Sequence, residues 1–280
     1  MCTLIVGLDL LGPGTLLLGA NRDESPGRPS TGPARLRDFP EVVGGKDLVA
    51  GGTWLAVREG RFVAALLNRR PPASVRPGGA GSPDEVLPLR SRGLLCLDAA
   101  AAGPGFDAAA TIDPATGDPY PARLDAALRL IGRGRYAPCS LVGLEAGGPS
   151  WVIALRPDEA PQASILDPGW HVITHADMDD REEPRTRALL DRLHGERPGG
   201  VREGFDLVAG LLRGHGEDGS PAVCLHHEPF PTVSSTLLAL GVPGGSGITA
   251  TGLARYAHAE GPPCVTPFQD HSQLLVSRAA

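Results

Sequence analysis

Residues 1–24, "MCTLIVGLDLLGPGTLLLGANRDE", hold two short runs of branched aliphatic residues, TLIVGLDL and TLLLGA, on either side of Leu11-Gly12-Pro13-Gly14. Runs of this length bounded by Gly and Pro read as the two strands of a β-hairpin, because a helix spanning both would have to absorb Pro13. With the loop centred on Gly12 and Pro13, paired residues have numbers summing to about 25. That register sets Cys2 opposite Asp23 and beside Arg22, so the turn carries a thiol to a polar cluster.

The cluster has the residue types for nucleophilic chemistry. Removal of Met1 by a methionine aminopeptidase leaves Cys2 with a thiol and a free α-amine on one residue. An α-amine, with a pKa of about 7.7–8.0, serves as a base near neutral pH. The thiolate is the nucleophile, and the charge of Arg22 favours it. Asp23 is placed to hydrogen-bond the ammonium or the thiol proton, and Asn21 is a binding candidate beside them. The same residues also read as a small apolar strand start followed by a solvated turn, NRDESPGRP.

Residues 44–72, GGKDLVAGGTWLAVREGRFVAALLNRRPP, repeat the design, with TWLAVR and RFVAALL as strands around Glu59-Gly60. That centre gives a pair sum of about 119 and faces Asn68 toward Gly51. Gly51 and Gly52 permit close backbone approach to a bound group. The Asn68 amide is suited to donate to a developing oxyanion, and it reads equally as an Asn ending a strand.

Together, MCTLIV, GANRDES, GGKDLVAGGTWLAV and VAALLNRRPP resemble the NRDE family, also called the transport and Golgi organisation protein 2 family. The resemblance continues more loosely through SRGLLCLDA, DPGWHVITH, PRTRALL, SSTLLAL and AEGPPC. That family is similar in turn to N-terminal-nucleophile hydrolases of the penicillin V acylase and bile salt hydrolase type. The resemblance therefore implies an α+β fold: an αββα sandwich of two mainly antiparallel sheets between helical layers, as one domain over residues 1–280. By position it implies Cys2 as nucleophile, Arg22 and Asp23 as the residues that orient it, and Asn68 as an oxyanion-side asparagine. Thr174-His175 stands where the family has Ser-Asn, so a second oxyanion asparagine has no counterpart and His175 is kept as a binding candidate. Eukaryotic relatives are associated with haem homeostasis and with lipid and acyl-CoA metabolism.

The remaining sequence sets bounds. The 280 residues are 41% hydrophobic and 21% charged, the composition of a chain able to bury a core. A formal charge of −6 argues against a general nucleic-acid surface. The five cysteines form no C-x-x-C pair, which fits reduced thiols and a cytoplasmic location. The opening run lacks a basic flank and is interrupted by Asp9, unlike a signal peptide, and no segment has the apolar length to span a bilayer. Helices are expected at 85–102, 122–132, 184–193 and 205–213. Strands are expected at CSLVGLEA, SWVIALR and WHVITHA, with a closing strand in SQLLVS, residues 272–277. Residues 71–84 read as a loop and 243–252 as a turn. Arg185 and Arg187 read as surface or anion-pairing groups. Cys224 and His226 share a face of VCLHHEP, but with no third ligand at motif spacing no metal site is assigned.

Two functional expectations follow. One is an N-terminal-cysteine hydrolase or acyltransferase, needing no cofactor, acting on a non-peptide amide or thioester of a small acylated molecule. The alternative is a non-catalytic protein that binds and traffics haem or an acyl-CoA-like lipid.

Overall fold

The computed structural model describes residues 2–70, 89–103, 111–216, 219–242 and 253–276. The expected loop at 71–84 and turn at 243–252 lie outside the described residues.

The chain opens with strands β1 (Thr3–Leu8), β2 (Leu16–Asp23), β3 (Ser30–Arg37), β4 (Val42–Asp47), β5 (Leu55–Arg58) and β6 (Phe62–Asn68). Helices α1 (Arg92–Ala101) and α2 (Ala122–Ile131) follow, then β7 (Cys139–Glu145), β8 (Trp151–Leu155), β9 (Gln162–Ile165) and β10 (Gly169–Ile173). Helices α3 (Pro184–Leu193) and α4 (Val201–Leu212) precede β11 (Thr232–Val242), β12 (Leu253–Ala259) and β13 (Gln269–Asp270). One sheet has the order β10-β1-β2-β11-β12-β13 and the other runs β3 to β9 in chain order, with antiparallel pairing throughout.

Alternation along the strands sorts the core into layers. Leu4, Val6 and Leu18 of the first sheet meet Val57, Val63, Ala65 and Val142 of the second, filling the space between them. Ile5, Leu17 and Leu237 point the other way, onto Leu189 and Leu193 of α3 and Val208 and Leu212 of α4. On the far side Ala56, Phe62 and Ala64 meet Leu95 and Ala99 of α1 and Leu124 and Ala127 of α2. The order is helices, sheet, sheet, helices: the α+β sandwich expected from the sequence. Each large aliphatic side chain buried here contributes roughly 1.5–3 kcal/mol, so the inter-sheet layer, the largest of the three clusters, is the largest single source of cohesion.

Both hairpin registers differ by one from the expectation. Thr3 pairs with Asn21 and Leu55 with Ala65, because each loop centres on a single glycine, Gly12 or Gly60, rather than between two residues. Asp9 N–H donates to the Thr15 carbonyl at 2.9 Å, and Gly12 and Gly14 take φ of 121° and 75° to close the first loop. Cys2 therefore stands opposite Arg22, not Asp23. Asn68 pairs with Cys139 of β7, and the β5–β6 ladder ends before reaching Gly51.

Other boundaries also shift. Helix α1 starts at Arg92, where the Ser91 hydroxyl accepts from Leu94 N–H. Helix α4 starts at Val201 rather than 205: Gly204 lies where the helix presses on β2, and a Cβ there would come 2.7 Å from Leu17 Cδ2. The closing strand is Gln269–Asp270, while Ser272–Leu275 is a 3₁₀ turn held by the Asp270 carboxylate accepting from Ser272 N–H at 2.8 Å. No helix among the described residues is long and apolar enough to cross a membrane.

Gly52 and Gly210 test the packing in opposite senses. A Cβ on Gly52 would fall 2.1 Å from the Gly93 carbonyl carbon at the start of α1, whereas Gly210 in α4 has nothing within 4 Å. Gly52→Ala is expected to destabilise the fold by about 1–3 kcal/mol. Gly210→Ala should stabilise it by roughly 0.5–1 kcal/mol. Denaturant midpoints with unchanged slopes would measure both.

Candidate active site

Cys2 is in phase with Leu4 and Val6, so its side chain belongs to the inter-sheet face, where it packs at the margin of that core. Continuing the pairing of Thr3 with Asn21 by one residue places Arg22 opposite it on the same face. The Arg22 guanidinium stacks 4.1 Å from the centre of the Trp54 ring and donates to Ser30 Oγ at 2.9 Å. Asn68, the last residue of β6, approaches the same end of the sandwich from the facing sheet.

Two cavities, of about 460 Å³ and about 380 Å³, meet there and share Cys2, Asp23, Glu24, Asn68 and Phe230. The larger lobe is polar, lined also by Arg22, Arg28, Asp47, Trp54, Arg90 and Arg92. The smaller is more apolar, with Leu225, Pro229, Arg69, Arg70, His175 and His227 on its walls. The thiol thus sits where a charged chamber joins a less polar one.

The electrostatics follow from partial burial. Burial pushes the Cys2 thiol up and the neighbouring Asp23 carboxylate adds to this, overriding the opposing charge of Arg22. The charge of Arg22 favours the thiolate, as the sequence suggests, but burial and Asp23 outweigh it, and Cys2 enters neutral pH as a thiol. Its Sγ lies 3.9 Å from the Asp23 carbonyl oxygen. Burial also raises the Asp23 carboxyl, against the Thr232 hydroxyl that donates to its Oδ1 at 2.7 Å. Burial lowers His175, and its Nδ1 has no hydrogen-bond partner among the described residues. At the far wall burial works against the Asp47 carboxylate, yet Arg28 Nε and Nη2 at 3.0 and 2.6 Å and the Val49 and Ala50 amides hold it low.

Of the sequence candidates, Cys2, Arg22, Asp23 and Asn68 line the polar lobe, and Cys2, Asp23, Asn68 and His175 the other. Asn21 faces away from both: its amide donates to the carbonyls of Leu212 and Val223 at 2.9 and 3.1 Å, closing the C-terminal end of α4. The close approach that Gly52 permits is to the backbone of α1, and Gly51, at φ 74°, turns the chain between β4 and β5 without lining either lobe. Arg185 is buried rather than at the surface, its Nη1 3.3 Å from Thr3 Oγ1. Trp54, the Arg28–Asp47 pair and Phe230 were missed. Only Trp54 carried a signal, as the large aromatic directly after the Gly51-Gly52-Thr53 turn.

Residues 1–118 match the model of the family described as Transport and Golgi organisation 2. No curated protein matches the sequence. Among solved structures, the chain resembles a Caenorhabditis elegans ortholog of N-acylethanolamine-hydrolyzing acid amidase, with a TM-score of 0.50 and 14% identity over 89% of this chain and 96% of that one. The conjugated bile acid hydrolase of Clostridium perfringens gives 0.45 at 11% identity, over 99% of this chain and 95% of that one. Penicillin V acylase from Agrobacterium tumefaciens gives 0.47 at 10%, over 95% and 93%. The chain shares the fold of that amidase ortholog.

The charges around Cys2 predict opposite responses. Asp23→Asn should lower the thiol pKa and Arg22→Ala should raise it, read as shifts in the pH profile of iodoacetamide alkylation of Cys2. Because the folded Asp23 pKa is raised, its charged form weakens the fold above that pKa, and the cost disappears as pH falls below the unfolded carboxylate value. Asp23→Asn is therefore expected to leave the thermal midpoint at neutral pH unchanged or higher.

Proposed function

We propose that this chain is an N-terminal-cysteine hydrolase or acyltransferase acting on a non-peptide amide or thioester of a small acylated molecule. The observation that carries the reading is the position of the Cys2 thiol, on the inter-sheet face at the junction of the two lobes, with Arg22 opposite and Asn68 on the facing sheet. In this scheme the more apolar lobe beside Leu225, Pro229 and Phe230 receives the acyl chain, and the arginine-lined lobe receives the polar remainder.

Removal of Met1 gives Cys2 its α-amine. Because Cys2 is held as a thiol, a base must take the proton as sulfur attacks, and the α-amine is the group on the same residue with a suitable pKa. Sulfur then bonds to the carbonyl carbon, and Asn68 donates to the oxyanion. Collapse breaks the carbon–nitrogen or carbon–sulfur bond, and the α-ammonium returns its proton to the leaving group. Water, or an acceptor, cleaves the resulting thioester and regenerates the thiol.

A second reading keeps the cleft as a haem or acyl-lipid binding site. It draws on His175, whose buried Nδ1 has no partner among the described residues and which lines the same lobe as Cys2.

The two readings part at Cys2. Catalysis predicts that Cys2→Ala abolishes turnover of whichever acyl amide or thioester proves active in a screen. Asn68→Ala should lower kcat about 10²–10³-fold with a smaller change in KM. A Cys2→Ala protein with undiminished turnover would exclude the mechanism. Absence of turnover with spectroscopic haem binding lost in His175→Ala would favour the second reading.

A further inference from the structure

Away from the cleft, three segments bring four soft ligand atoms to one point. His215 follows α4, Cys224 and His226 lie on the stretch before β11, and Cys264 lies in the loop after β12. Their ligating atoms all fall within 4.8 Å of one another. His226 Nε2 is 3.1 Å from His215 Nε2, 3.2 Å from Cys264 Sγ and 3.7 Å from Cys224 Sγ, and the two sulfurs are 3.5 Å apart.

A neutral imidazole nitrogen is either one donor or one acceptor. His226 Nε2 nevertheless faces three heteroatoms, of which it can pair with one at a time, whereas a central cation engages all four ligands together. A tetrahedral zinc with Zn–S of about 2.3 Å and Zn–N of about 2.0–2.1 Å has ligand–ligand edges of roughly 3.3–3.8 Å. The four distances above span that range within a few tenths of an ångström, and the other two, from His215 to each sulfur, lie within 4.8 Å, so His215 closes on the ion by a small movement. The sulfur–sulfur separation is far beyond the roughly 2.05 Å of a disulfide.

The surrounding backbone holds this arrangement independently of any ion. The Gly214 carbonyl accepts from both Val223 and Cys224 N–H at 2.9 Å, folding the chain so that Cys224 returns beside His215. Arg213 Nε donates to the Pro263 carbonyl at 3.0 Å, tying the Cys264 loop to the end of α4.

We infer that His215, Cys224, His226 and Cys264 form a structural site for a tetrahedral divalent cation of the zinc class. Two thiolates and two imidazoles select zinc over hard cations, and four protein ligands leave no open position for catalysis. Binding one Zn²⁺ releases the two thiol protons to solvent, so the four-ligand centre carries no net charge. The site also bears on the cleft. Between its ligands, Leu225 exchanges hydrogen bonds with Thr232, whose hydroxyl reaches Asp23, while Leu225 and His227 line the more apolar lobe. The ion would fix the wall on which those residues stand.

The test uses the full chain, reduced and stripped with a chelator, titrated with ZnCl₂ against a chromophoric competitor, and separately with CoCl₂. One zinc per chain is expected, with cobalt giving thiolate charge-transfer absorption and the visible bands of a tetrahedral ion, and zinc raising the thermal midpoint. Cys264→Ser and His226→Asn, at partly or fully exposed positions that the fold tolerates, should each abolish stoichiometric binding and the zinc-dependent rise. Cys2→Ser should retain both, which separates this site from the proposed nucleophile. Substoichiometric uptake by the reduced wild-type chain, an octahedral cobalt spectrum, or unchanged binding in Cys264→Ser overturns the inference.

Discussion

The antiparallel pairing of β1 with β2, Thr3 opposite Asn21, constrains everything at the cleft end of the molecule. Side chains alternate along a strand, so this one register decides that Leu4, Val6 and Leu18 enter the inter-sheet core while Ile5 and Leu17 meet α3 and α4. It also decides that Cys2 and Arg22 share the inner face and that Asn21 points outward. A slip of one residue would send the aliphatic set to the wrong layer, at a cost far above any gain the polar cluster could return. The hydrophobic layers thereby hold the thiol in place.

That placement has an electrostatic consequence. A thiol at the edge of an apolar layer, beside a carboxylate that is itself partly buried, is held protonated although an arginine lies opposite. Desolvation, reinforced by Asp23, outweighs the favourable charge of Arg22, which also stacks on the Trp54 ring and donates to the Ser30 hydroxyl. The same economy recurs at the far wall, where Asp47 stays ionised against burial because Arg28 and two backbone amides converge on it. The cleft is thus asymmetric in charge as well as in shape, and the asymmetry arises from which side chains already have partners.

The two sites differ in how they are assembled. The cleft gathers residues from the ends of interior strands of two facing sheets, so it exists once the sandwich closes. The four soft ligands come from irregular chain between α4 and β11 and from the loop after β12, where fewer apolar contacts fix the backbone. Hydrogen bonds from Gly214 and Arg213 bring them into range, and Thr232 links that wall back to Asp23.

Much of this was legible in the sequence. Two aliphatic runs around Gly12-Pro13 specify a hairpin, and alternation within them specifies a strand with one face toward each layer. The association of Cys2 with Arg22 and Asp23 also followed, because a short hairpin brings its own ends together whatever the rest of the chain does, whereas that of Asn68, which comes from the facing sheet, followed only from the family resemblance. The exact register did not: a loop centred on one glycine and a loop centred between two residues have nearly the same composition, and only the closed backbone distinguishes them. Asn21 could not be separated from its neighbours in NRDE, since its partners, the Leu212 and Val223 carbonyls, lie some 190 residues or more away in sequence. His215 and Cys264 were hidden from Cys224 and His226 for another reason: they lie much nearer in sequence, 11 and 38 residues from His226, but at no metal-motif spacing, and only the folded loops bring them together. Local pattern determined the strands, the hairpins and the nucleophile candidate; the tertiary structure alone decided which faces met, which polar groups were spent on packing and which ligands converged, because those depend on contacts that spacing along the chain does not encode.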